Sequence, residues 1–91
     1  MSDAPEDERL GQLIERAQVG DPAAFEEIVQ SLEKPLLGFA RAQGAFDPDG
    51  TANEVLLRVF RGILVFDGGP AQFRAWVYRI ARNLIVDERR A

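Results

Sequence analysis

The sequence predicts an all-α fold, a compact bundle of about four helices joined by short connections. Three observations carry this prediction. Apolar residues recur at helical spacing along four successive stretches, the breaks between those stretches hold Gly, Asp and Pro, and no stretch alternates apolar with polar as a half-buried strand would. The 91 residues suffice for one small domain and contain no repeat at a solenoid period. A domain of this size buries only about 60 to 65% of its unfolded surface, so the six Phe, one Trp and one Tyr must supply much of the core.

Residues 1–7 are acidic and aperiodic, which predicts a tail, with the domain running from 8 to 91. Leu10, Leu13, Ile14 and Ala17 then follow the i, i+3, i+4, i+7 pattern of a first helix, which Gly20 stops. Asp21-Pro22 reads as an N-cap followed by proline in the first turn of a second helix, with Ala24, Phe25, Ile28, Val29 and Leu32 facing inward. The pattern resumes beyond Pro35 with Leu36, Leu37, Phe39 and Ala40, so the spacing favours one kinked helix over two short ones. Gly44 to Gly50 is a turn. Thr51 is expected to cap a third helix with Val55, Leu56, Val59, Phe60 and Ile63 inside, and Phe66-Asp67-Gly68-Gly69 ends it. Pro70 opens a fourth helix, whose inner positions are Phe73, Trp76, Val77, Ile80, Ala81 and Leu84.

Composition narrows the function. Cys and His are both absent, which removes disulfides, zinc and iron–sulfur sites, thiol nucleophiles and imidazole acid–base chemistry, so a non-enzymatic role without metal or cofactor is expected. Asp47-Pro48-Asp49-Gly50 with Glu54 does not fit a calcium loop, because its glycine and glutamate come too early. No glycine-rich phosphate cradle is present. Adjacent carboxylates such as Glu26 and Glu27 point to different helix faces. Apolar runs such as Ile63–Phe66 reach four residues against the roughly 20 of a membrane helix, and the N-terminus is acidic, so a cytoplasmic, membrane-free protein is expected.

The net charge of −4 is unevenly spread. Residues 1–50 hold eleven acids and four bases, and residues 51–91 hold four acids and seven bases. Such a dipole suggests one polyanion-facing end. The fourth helix supplies it: Arg74, Tyr78, Arg82 and Arg89 form an outward stripe, flanked by Arg79, Asn83 and Arg90. Arginines contact phosphates, a tyrosine offers a stacking platform, and an asparagine reads a base edge, a combination suited to single-stranded nucleic acid. An amphipathic helix with a solubilising basic face would carry the same composition.

The run F-R-A-W-V-Y-R-I-A-R-N-L-I-V-D-E-R-R, residues 73–90, resembles the promoter-melting and recognition helix of bacterial sigma factors of the extracytoplasmic-function class, within the sigma-70 family. Leu13 to Val29 resembles the start of the same domain, region 2, and Asn53 to Arg61 its second stretch, so the resemblance spans about residues 8–91. It implies a helical domain that docks on the clamp helices of the RNA polymerase large subunit and captures the non-template strand of the −10 promoter element. By the same resemblance, Asn53, Glu54, Arg58 and Arg61 would contact polymerase. Phe66, Asp67, Gly68 and Gly69 would belong to a specificity loop, running to Gln72, that receives a flipped base. Asn83 would accompany them, with Arg74, Tyr78, Arg79, Arg82, Arg89 and Arg90 along the strand.

The chain departs from the family at two places. Where the family reads D-L-V-Q-E, this chain has Gly50-Thr51-Ala52-Asn53-Glu54, and the loop between Phe66 and Phe73 is one residue longer. The second domain of such factors, which would bind the −35 element, is not among these residues. The divergent stretch motivates an alternative, a sigma-like interaction module that binds an anti-sigma partner or self-associates. A helix-turn-helix reading of duplex DNA is disfavoured by the negative net charge.

Overall fold

A computed structural model describes residues 4–90 and contains four α-helices: α1 (Ala4–Gln18), α2 (Pro22–Ala42), α3 (Pro48–Gly62) and α4 (Pro70–Arg90). A single 3-10 turn, Ile63–Val65, extends α3, and no strand occurs among the described residues. The all-α expectation is met. One core holds the helices together, with Ile28, Leu36, Val55, Val59, Phe73 and Val77 almost wholly removed from solvent. Phe25, Phe39, Phe66, Trp76 and Tyr78 pack around its margin.

The turn between α1 and α2 closes through two backbone bonds, Gly20 N–H to the Ala17 carbonyl (3.0 Å) and Asp21 N–H to the Arg16 carbonyl (3.0 Å). This closure needs a left-handed residue, and Gly20 supplies it with φ +94°. Asp21 then serves both helices: its carboxylate accepts from the Ala23 and Ala24 amides at the start of α2 and from Nε and Nη2 of Arg16 at 3.0 and 2.8 Å. The Arg16 hydrogen bond is the main reason the Asp21 carboxyl lies below its ordinary value. The same closure recurs after α2 around Gly44.

Two boundaries differ from expectation, while α2 is one helix as the spacing favoured. Helix α1 begins at Ala4, so residues 4–7, read as tail, are helical; Glu6 and Asp7 complement the helix N-terminus, and Asp7 is held by Arg74 at 2.7 Å. Residues 1–3 and Ala91 lie outside the described residues. Helix α3 starts at Pro48 with Asp47 as its cap, the carboxylate accepting from Gly50 N–H at 3.1 Å, whereas Thr51, expected as the cap, is buried within the helix. Helix α2 runs without a break through Pro35. Pro35 and Ser31 are both exposed, and Pro35 lacks the amide that would pair with the Ser31 carbonyl.

Candidate functional site

Two surfaces gather the residues singled out in the sequence. The first is a shallow groove on α4, floored by Phe39 of α2 and lined by Ala75, Tyr78, Arg79, Arg82, Asn83 and Val86. Arg79, Arg82 and Asn83 are exposed, and neither arginine has a carboxylate partner among the described residues. Free guanidinium groups beside an exposed carboxamide offer phosphate contacts and a base-edge reader on one face. Tyr78 is only half-exposed. Its ring meets Phe39 edge-to-face at 5.2 Å, burial raises its phenol above the ordinary value, and it forms a wall of the groove.

Two arginines of the expected stripe are engaged within the chain. Arg74 reaches Asp7 of α1, and Arg89 donates to the Gln43 carbonyl just past α2. Its neighbour Glu88 accepts from the Phe46 amide at 2.7 Å, so the end of α4 fastens the α2–α3 connection. Arg90 remains exposed at the helix terminus. Helical spacing put these arginines on one stripe; two of them also meet partners more than forty residues away in sequence.

The connection Phe66–Gly69 lies beside the start of α4. Phe66 is not a free loop residue: its ring stacks on Trp76 at 5.1 Å and meets Phe73 edge-to-face at 5.4 Å. Gly69 N–H donates to Oε1 of Gln72 at 2.9 Å, while Asp67 and Gly68 stay exposed. A small cleft lies between this loop and Gly11, Ile14 and Glu15 of α1, with Gln18 on its lining.

The second surface is the outer face of α3. Asn53 and Arg61 are exposed, and Glu54 pairs with Arg58 at 3.1 Å one turn on. Between them lies a feature that sequence reading missed. Leu57, Phe60 and Leu64 are 42%, 60% and 63% exposed, so Phe60, expected inside, points outward and meets Phe25 at the core margin, with ring centroids 5.1 Å apart. Asn53, Leu57 and Phe60 follow a 4-3 spacing that lines them up along α3 away from the buried Ala52, Val55 and Val59, and the exposed Leu64 of the 3-10 turn follows them. The signal was present in the sequence as apolar residues on both sides of one helix, an arrangement that a single core does not require.

Comparison with known proteins follows the same lines. The family model Sigma-70 region 2 matches residues 28–91. An extracytoplasmic-function RNA polymerase sigma factor, BldN of Streptomyces coelicolor, is 32% identical over 81 residues, covering 87% of this chain and 31% of that protein. The RNA polymerase sigma-H factor of Pseudomonas aeruginosa is 35% identical over 74 residues, covering 79% of this chain and 38% of the relative. The chain therefore spans about a third of the length of these relatives. No solved structure gave a significant match. Among the described residues no helix is long and apolar enough to cross a membrane. With its four helices, its basic α4 groove and a family match over most of its length, the chain belongs to the sigma-70 family, as a region 2 domain of the extracytoplasmic-function type.

Proposed function

We propose that this domain serves transcription initiation by docking on core RNA polymerase through the outer face of α3 and holding the non-template strand of a −10 promoter element on α4. The observation that carries the reading is the convergence of Arg79, Arg82 and Asn83 around one groove, without acidic partners among the described residues, on the helix that the resemblance to sigma factors assigns to promoter capture.

In this account Arg79 and Arg82 neutralise successive phosphates, and the Asn83 carboxamide hydrogen-bonds a base edge. Asp67 and Gly68 form the exposed tip of the base-reading loop. Unstacking a base costs a few kcal/mol, which these contacts must return. The overall charge of −4 opposes that binding, so the free domain holds DNA weakly and relies on polymerase to bring the strand close. On α3, the seam of Leu57, Phe60 and Leu64 offers a helical partner an apolar strip with Glu54, Arg58 and Arg61 beside it. Such a strip suits the clamp helices of the large subunit.

The test is anisotropy of a labelled single-stranded −10 oligonucleotide, selected from a random pool on the chain bound to core polymerase. Asn83→Ala is expected to weaken binding by about 1 to 3 kcal/mol, the scale of one lost base contact. Equal affinity of both proteins would remove Asn83 from the reading. The departure at Gly50–Asn53 favours one second reading, in which the α3 seam takes a regulatory anti-sigma partner in place of polymerase.

A further inference from the structure

Gln18, the last residue of α1, lies far in sequence from both surfaces, yet its side chain reaches the loop that joins them. Its Nε2 donates to the Phe66 carbonyl at 2.7 Å and to the Ile63 carbonyl at 3.0 Å. The Ile63 carbonyl also accepts from Phe66 N–H at 3.2 Å, so a single carboxamide braces the whole turn from the end of the 3-10 segment to the first loop residue. Both hydrogens of the amide are used, which is the full donor capacity of a glutamine.

The far end of the loop is fastened independently, by Gly69 N–H to Gln72 Oε1 at 2.9 Å and Phe73 N–H to the Gly69 carbonyl at 2.9 Å. With Phe66 and Gly69 both held, Asp67 and Gly68 are the two residues left projecting between fixed points. Gln18 is itself held in place because the left-handed turn at Gly20 and the Arg16–Asp21 contact lock the end of α1. The loop contains two adjacent glycines. Such a loop would otherwise sample many conformations, and a base reader must be rigid to discriminate.

We infer that Gln18 is a positioning residue for base selection: it holds the Phe66 end of the loop so that Asp67 and Gly68 meet the flipped base in one fixed geometry. The inference rests on the reading of this loop as part of the promoter interface. It requires that Gln18 touch no DNA and act entirely through the two carbonyls.

Two measurements on the full chain separate the parts. Trp76 is the only tryptophan and stacks on Phe66, so its emission reports on the loop without DNA. In Gln18→Leu, and in the near-isosteric Gln18→Glu that cannot donate as a carboxylate, acrylamide quenching of Trp76 rises while the far-UV signal stays native. The second measurement is sequencing of single-stranded DNA selected from a random pool by each protein bound to core polymerase. Wild type discriminates at the loop-read position by roughly five- to 150-fold, the range of one specific contact. Both variants lose that preference, keep the preference set by Asn83, and retain total binding. Unchanged Trp76 quenching overturns the brace. Changed quenching with an undiminished preference overturns the role in selection. If wild type binds polymerase but selects no base at all, the promoter reading of the loop fails and the inference falls with it, whereas altered quenching would still identify Gln18 as a structural brace.

Discussion

Gly62, at the end of α3, stands where a methyl group would strike Trp76: a Cβ built there lies 2.7 Å from Cζ2 and 3.1 Å from Cη2. Its backbone is right-handed (φ −102°, ψ −13°) and open to alanine, so a methyl is permitted by the main chain and excluded by the neighbour. Replacing glycine by alanine in a helix gains up to about 1 kcal/mol. Against this, the indole cannot step aside freely, because it stacks on Phe66 at 5.1 Å and meets Phe73 at 5.7 Å. Forcing a methyl into packed surroundings costs about 1 to 3 kcal/mol, and a disrupted aromatic pair adds about 0.5 to 1.5 kcal/mol. The cost outweighs the gain, so Gly62→Ala is expected to destabilise the domain by about 0.5 to 3.5 kcal/mol and to shift Trp76 emission as Phe66 moves. Gly38→Ala is the matched control. Gly38 is exposed within α2 and nothing lies within 4 Å of its added Cβ, so there the helix gain should appear alone, as a stabilisation of about 0.5 to 1 kcal/mol. Urea unfolding followed by far-UV circular dichroism and by Trp76 emission measures both. If the two substitutions stabilise equally and Trp76 emission does not move, the packing of α3 against the loop is wrong.

Phe60→Ser should cost the fold about 0.5 to 1.5 kcal/mol through the Phe25 pair and, because Phe60 is 60% exposed, weaken polymerase binding tenfold or more, about 1.4 kcal/mol, as loss of a central apolar anchor does; retained affinity in a competition assay would exclude the seam. Arg82→Ala should lower the slope of log affinity against log salt for single-stranded DNA by about 0.7, whereas Arg74→Ala, whose guanidinium is held by Asp7, should leave that slope unchanged. Equal slopes for the two variants would contradict the division between free and engaged arginines. The Asp21 carboxyl titrates below its ordinary value of 3.8 in the folded state, so its contribution is complete above that value and is lost as pH falls through the lower folded one. Asp21→Asn keeps an N-cap and should flatten the acid limb of stability against pH; urea midpoints from pH 5 to pH 2 with an unaltered limb would refute the linkage.

The helix order was legible because its signals are local. Asp21-Pro22 and Pro70 marked true helix starts, and the inward positions Ile28, Val55, Val59, Phe73 and Val77 followed the 3.6 period. Periodicity failed at Phe60. Leu56, Leu57 and Phe60 spread apolar side chains over most of the circumference of α3, and a period identifies a face without saying whether the protein itself or a partner covers it. The candidate DNA surface was half legible for a related reason. Asn83, Arg79 and Arg82 were found by their positions on α4, but the partners of Arg74 and Arg89, like the reach of Gln18 to Phe66, depend on contacts across the bundle that no local pattern encodes. Asp47 displaced Thr51 as the α3 cap because Pro48 fits the first turn and both Thr51 and Ala52 are needed in the core.

The central claim is that this four-helix domain engages RNA polymerase through the outer face of α3. The direct measurement is equilibrium binding of the chain, labelled at its N-terminus, to purified core RNA polymerase, with Phe60→Ser and Glu54→Lys alongside. The account predicts saturable binding by wild type and its loss in both variants, whose circular dichroism stays native. Absence of binding at micromolar polymerase, or binding that both substitutions leave intact, would contradict it and turn the exposed seam of Leu57, Phe60 and Leu64 toward a different protein partner.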